Sequence, residues 1–347
     1  MSMRWLVAVV AALSVFWGAV ARPPDSGSIV VVDSAGRAVE VPYPLERVIV
    51  LSPPIAEVMR ALGVVDRIVG ISGSLAKPYF PGLSQLPQVA RFAHTEADYE
   101  RIIELNPQAV LTYGTHPAVD IQEFADALAP ARIPVLGIDC FRLSSLYRDI
   151  ATLGAVFGRE ARAARFIVFL QDILDAVDEK LAELSPDQRP RVYAEHHARD
   201  YRTFGPGSPW HAMIERAGGI NIFADAPVPY PRVDPEAVIE RNPQVILKDV
   251  RSVPPMGYAV TDVAPIQAYM EEFIARPGWA ALEAVRDGRV YLLSPDLTAG
   301  PKKPLALAYF AKVFHPKLDL DPEAFLREYY ETWQGVELKG VFIYPEP

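Results

Sequence analysis

The chain repeats itself. The twelve residues from Glu100 to Leu111, ERIIELNPQAVL, return 136 residues later as EAVIERNPQVIL, from Glu236 to Leu247, with seven of the twelve positions identical. An Asp stands two residues ahead of each copy, at Asp98 and Asp234. A shorter echo, RALG at 60–63 and RAGG at 216–219, falls in the same order within each half. A duplicated sequence predicts a duplicated structure, so the chain reads as two equivalent lobes. Each copy spells one unit: an N-cap Asp, a short helix, an Asn-Pro stop and a buried strand. Glu100 and Glu236 fall in the first helical turn, where the helix dipole favours a carboxylate. They are either ordinary first-turn glutamates or one acidic knob per lobe, a pair suited to a pseudo-symmetric partner with basic sockets.

The pattern around the repeat is α/β. Alternation across residues 30–41 about Asp33-Ser34-Ala35-Gly36 predicts a hairpin. Residues 47–51, RVIVL, read as a parallel strand covered on both faces, followed by a helix at 55–62 behind Ser52-Pro53-Pro54. Further strands are predicted at 68–71, 109–112 and 135–138, with helices at 99–105 and 119–129. After the midpoint the same alternation resumes, with strands at 191–194, 245–248 and 289–293. Helices are predicted there at 210–217, 235–241, 271–275, 279–285, 305–313 and 322–333. Between the halves, residues 160–184 hold no proline, and Ile167, Leu170, Leu174, Val177, Leu181 and Leu184 form one apolar stripe. Its midway position favours one rigid helix joining two lobes. The predicted fold is two Rossmann-like α/β lobes, 29–143 and 186–347, joined by a helical linker at 144–185.

Composition narrows the function. A net charge of −9 argues against a nucleic-acid partner. The single cysteine, Cys140, allows no disulfide framework and no multi-cysteine metal cluster. Residues 1–21 carry Arg4, an apolar run from Leu6 to Val20 and an Ala19-Val20-Ala21 cleavage motif, and read as an export signal. The other reading is an uncleaved anchor helix. No cysteine follows the run, so a lipoprotein anchor is not expected. There is no phosphate-binding loop and no G-x-S-x-G elbow, and Gly205-Pro-Gly207 is a turn, so an enzyme is not expected.

At this point residues 29 to about 316 resemble a known family. The motifs are VDSAGR (32–37), PLERVIVLS (44–52), ALG (61–63), VG (69–70), the two Asn-Pro pairs (106–107 and 242–243), GRE (158–160), GGIN (218–221), Trp279 and VRDGRVY (285–291). Their order and spacing resemble the exported substrate-binding proteins of ABC importers for ferric siderophores, haem and cobalamin. The resemblance implies a ligand cleft between the two lobes, and a monomer that carries a metal chelate to a permease dimer with its ATPase subunits. It implies no cofactor beyond an iron- or cobalt-containing ligand, and it implies that Glu100 and Glu236 dock onto permease arginines.

Ligands of open α/β sheets bind beyond the carboxyl ends of the strands. Those loops hold Tyr79, Phe80, Arg91, Phe92, His94, Tyr113, His116, Phe141 and Arg142 in the first lobe. In the second they hold His196, His197, Tyr201, Arg202, Trp210, His211, Tyr230, Lys248, Arg251 and Tyr258. Aromatics grip flat or bulky ligands, and cations pair with ligand carboxylates or catecholates. Five of the six histidines fall in these loops, and only His315 does not. They support a second reading: a bare zinc- or manganese-type cation held by His94, His116, His196 or His197, and Glu195. A single histidine as axial ligand to haem or a corrinoid is a further reading, and a sensor for a signalling system is a further role.

Overall fold

The computed structural model describes residues 27–76, 79–117, 120–197, 200–251 and 253–347. The export signal at 1–21 and Val119, at the start of one expected helix, lie outside them. The hairpin forms from β1 (Gly27–Val32) and β2 (Ala38–Tyr43). The first lobe is then built on β3 (Val48–Val50), β4 (Ile68–Ser72), β5 (Gln88–Ala90), β6 (Ala109–Thr112) and β7 (Val135–Gly137). They lie parallel in the order β5-β4-β3-β6-β7. The second lobe has β8 (Arg191–Glu195), β9 (Ile220–Asn221), β10 (Val245–Asp249), β11 (Gly257–Tyr258), β12 (Val290–Leu293), β13 (Gly340–Val341) and β14 (Ile343–Tyr344). Its sheet runs β14-β12-β10-β8-β9, with only β14 antiparallel, and β11 pairs with β13 separately.

Set side by side, β4-β3-β6-β7 and β9-β8-β10-β12 have the same order, so the sequence repeat is a repeat of topology. The hydrogen bonds repeat too. At the foot of β3 the Arg47 guanidinium donates to the Asn106 carbonyl at 3.3 Å and, more closely, to the Leu105 carbonyl at 2.8 Å, and the Gln108 side-chain oxygen accepts from the Arg47 N–H at 3.0 Å. At the foot of β8, Arg191 donates to the Asn242 carbonyl at 2.9 Å, and the Gln244 oxygen accepts from the Arg191 N–H at 3.1 Å. Asn106 and Asn242 both take left-handed backbone, φ 46° and 40°. Asn tolerates that conformation better than most side chains, so the shared Asn-Pro-Gln is a structural joint.

The helices are α1 (Pro53–Ala61), α2 (Tyr99–Glu104), α3 (Ile121–Leu128), α4 (Leu146–Phe157), α5 (Glu160–Leu181), α6 (Pro209–Arg216), α7 (Pro235–Arg241), α8 (Ala264–Ile274), α9 (Glu283–Arg286), α10 (Pro295–Thr298), α11 (Lys303–Phe314) and α12 (Pro322–Glu328). Some details differ from expectation for local reasons. The linking helix α5 ends at Leu181 because Ser185, ahead of Pro186, is held extended and starts a new turn. The segment 279–285 breaks at Leu282, whose ψ of 137° separates a short turn from α9. Helix α8 begins at Ala264, seven residues before the expected start. Asp98 caps α2 through the Arg101 N–H at 2.9 Å, but Asp234 makes no side-chain cap bond. There Pro235 occupies the first turn, and Ala237 donates to the Asp234 carbonyl instead.

Both faces of each sheet are buried, in alternation. Val48, Val50, Val245 and Leu247 face one core shared by the two lobes and the connecting helices. Ile49, Leu51 and Val110 face a second core under α3, while Tyr193, Ile246 and Trp279 face a third. Helix α5, about 33 Å long at 1.5 Å per residue, packs against α4 on one side and α11 on the other. Among the described residues no helix is long and apolar enough to cross a membrane.

The C-terminal helix bridges the lobes, where packing on the second lobe was expected. Helix α12 runs into a π turn, Tyr329–Trp333, that packs against the first lobe and the linker. The Tyr329 hydroxyl donates to Glu57 of α1 at 2.7 Å, and the Gln334 amide to the Glu57 carbonyl at 3.1 Å. Trp333 lies over Phe166 of α5, ring centres 4.9 Å apart. Lys302, just ahead of α11, donates to the same Glu57 carboxylate, and this ion pair between lobes is buried. The tail ends as β14 on the edge of the second sheet.

Candidate functional site

The loops at the carboxyl ends of β6 and β7 and those of β8 and β10 lie where open α/β sheets bind their ligands, and they approach one another: Arg251 beyond β10 interacts with Tyr113 beyond β6 and with His196 beyond β8. The first-lobe wall is aromatic. Tyr113, just past β6, lies 5.1 Å from His116 and 5.5 Å from Phe141, and Phe92 lies 5.6 Å from His116. Burial pushes the Tyr113 phenol up to about 12 and lowers His116. Arg142 stacks over Phe141 at 5.0 Å and is held by Thr115 and Asp139. Asp139 in turn accepts from the N–H groups of Gly114 and Thr115.

The second-lobe wall starts where β8 ends. His196 and His197 stack with ring centres 4.0 Å apart, and Tyr230 and Phe204 close around His196 at 5.9 and 5.4 Å. Arg202 lies over Tyr230 at 5.7 Å. Burial, with the neighbouring His197 adding to it, lowers His196 to about 4, so its imidazole is neutral at pH 7. His197 Nδ1 stands 2.7 Å from a carboxylate oxygen of Asp249. A carboxylate accepts, so Nδ1 is the donor of this bond. His196, His197 and Asp249 each bring a ligand atom within 4.8 Å of the others, a geometry that can hold a cation. Arg251, exposed beyond β10, acts electrostatically on Tyr113 and His116 of one wall and on His196 of the other. The two walls therefore face one cleft.

Other expected residues lie elsewhere. Lys248 is 2% exposed, inside β10, and donates to Glu195 at 2.8 Å. Glu195 also accepts from Arg276, Tyr193 and the Tyr201 N–H. With its lone pairs taken it does not complete a histidine metal site, and Asp249 stands in that place instead. Tyr79 is buried between the lobes among Phe80, Tyr258 and Tyr330. His94 stacks on Phe124 of α3 at 4.6 Å, away from His116. Trp210, in α6, stacks on Phe204 at 4.7 Å and backs the second wall. His211 bonds Asn221, and Arg91 pairs with Glu96 at the surface. Cys140 is buried, and burial raises its thiol pKa. Glu100 and Glu236 are both exposed in first helical turns. Asp249 escaped the sequence reading because β10 runs one residue further than its pattern, which puts Asp249 and not Lys248 at the strand's open end.

Residues 48–297 match the description of a periplasmic binding protein. The chain belongs to the periplasmic binding protein family. A relative from Halobacterium salinarum named as a cobalamin-binding protein is 29% identical over 226 residues, 63% of this chain, and the chain spans only 58% of that relative's length. The molybdate-binding protein MolA of Haemophilus influenzae is 24% identical over 342 residues, 89% of this chain and 92% of the relative. Among solved structures, the TroA-like periplasmic binding protein FepB from Veillonella parvula superposes with a TM-score of 0.77 at 25% identity, covering 90% of this chain and 98% of its own. This periplasmic binding protein thus shares the two-lobed α/β architecture of its relatives.

Proposed function

We propose that this chain is the exported substrate-binding protein of an ABC importer. It captures a metal chelate (a ferric siderophore, haem or a corrinoid) in the cleft as a monomer and delivers it to a permease dimer. The observation that carries this reading is the pair of aromatic walls at the carboxyl ends of the two sheets, with Arg251 acting on both. Rings on two sides suit a large flat or bulky ligand, and arginines suit its anionic rim. The relatives named for cobalamin and molybdate support an importer of metal-containing cargo. Glu100 and Glu236, one per lobe, are the residues that dock on the permease.

A second reading, a bare divalent cation as cargo, is favoured by the His196–His197–Asp249 cluster. Calorimetric titration of the purified protein with haemin, a ferric tris-catecholate, cyanocobalamin, Zn²⁺ and Mn²⁺ separates the two. One chelate binding per monomer is expected. Tight Zn²⁺ or Mn²⁺ binding with no chelate bound would move the assignment to the bare cation, and silence across the panel would overturn both.

A further inference from the structure

Lys302 and Lys303 are adjacent, both buried, and served very differently. Lys302 is matched by the carboxylate of Glu57. Lys303 is 9% exposed and has no carboxylate or hydrogen-bond acceptor among the described residues. Its ammonium lies 6.0 Å from the ring centre of Phe141. That ring forms part of the first-lobe wall of the cleft, edge-on to Tyr113 and His116. The other cation on that ring, Arg142, already has Asp139. Behind Lys303 stands the positive N-terminal end of α11, which disfavours a lysine there. Burial and the repulsion of Arg142 pull the ammonium down to about 8. A buried charge without a partner is costly, and folds keep one where something other than the fold uses it.

We propose that Lys303 is an anion receptor of the cleft, taking, with Arg142, a carboxylate, catecholate or oxo oxygen of the cargo. This rests on the reading that the cleft binds the cargo, and narrows it to anionic cargo. Lys303 lay outside the sequence candidates because it sits in a helix start and not in a strand-end loop.

The test uses full-length protein, Lys303→Met and Lys303→Arg, titrated with haemin, a ferric tris-catecholate, molybdate and, as a probe whose charges cancel, cyanocobalamin. An anionic probe should bind wild type and weaken at least about tenfold in Lys303→Met, as loss of a charged hydrogen bond requires, while Lys303→Arg retains most of the affinity. Ligand-free Lys303→Met should melt above wild type, because the uncompensated charge is gone; a melting temperature well below wild type would show that Lys303 serves the fold and would overturn the proposal. Equal affinity of an anionic probe for wild type and Lys303→Met overturns the proposal and leaves the importer reading standing. Binding of cyanocobalamin alone does the same. No binding by any probe overturns both.

Discussion

Glu57 shows how much of this molecule turns on single side chains. It collects the Lys302 ammonium, the Tyr329 hydroxyl and, on its carbonyl, the Gln334 amide, from chain segments more than 240 residues away. Replacing Lys302 with Met removes the only cation paired with this buried carboxylate among the described residues, and breaking a buried pair from one side costs about 3–5 kcal/mol. Urea unfolding of Lys302→Met followed by tryptophan fluorescence should show that loss. A change under about 1 kcal/mol would mean that the ion pair adds little to the fold. None of this was readable from the sequence, where Lys302 and Lys303 are two identical neighbours. What separates them is a partner distant in the chain. Lys248 and Asp249 teach the same lesson at shorter range, since one extra strand residue exchanges which of them meets the cleft.

At the scale of elements, the sequence was most informative where apolar spacing is sustained. Strand β6 and helix α7 fall where spacing predicts them, and α5 needed only its Pro186-dictated end moved. Strands β5, β9 and β14 have three residues or fewer, too short to show a period of two; they exist because a sheet edge offers them hydrogen bonds. The terminal helix is legible as a stripe of Phe325, Tyr329 and Trp333, but its change to a π turn is set by what it packs on. There the extra residue per turn lets Tyr329, Tyr330 and Trp333 all face inward, and Trp333 meets Phe166, Phe169 and the Arg162 guanidinium. Trp333→Ala should therefore destabilise the whole protein. The expected loss is somewhat below the roughly 3–5 kcal/mol of a fully buried tryptophan, because Trp333 is half-buried. Thermal unfolding should stay one transition, lowered in temperature. An early separate transition would instead show that the tail folds as an appendix to the lobes.

The whole molecule is a duplicated lobe, and the duplication is what the sequence displays best. Its Asn-Pro-Gln joint is retained in both halves, where Arg47 and Arg191 each donate to the Asn carbonyl and to the Gln side-chain oxygen of their own copy. That explanation covers Asn106, Pro107, Gln108 and their second-lobe counterparts, but not Glu100 and Glu236. Those two side chains are exposed and outside the ion pairs of the described residues, although Glu104 on the same helix is paired with Arg101. A matched pair of unneutralised carboxylates on equivalent turns suits two equivalent cationic sockets. Reversing both charges, Glu100→Arg with Glu236→Arg, should lower stability by only about 1 kcal/mol per helix, the loss of the dipole interaction, and should leave cargo affinity within error of wild type, because neither residue is in the cleft. Affinity for the permease in a reconstituted membrane should fall at least about tenfold, since like charges placed at an interface cost several kcal/mol, and uptake should stop. Each single reversal should give an intermediate loss, and the two should be similar in size if the partner is itself two-fold symmetric. Cargo affinity lost along with docking would place the glutamates in the binding machinery. Docking that survives the double reversal would remove them from the permease interface and leave the helix dipole as the whole reason for their presence.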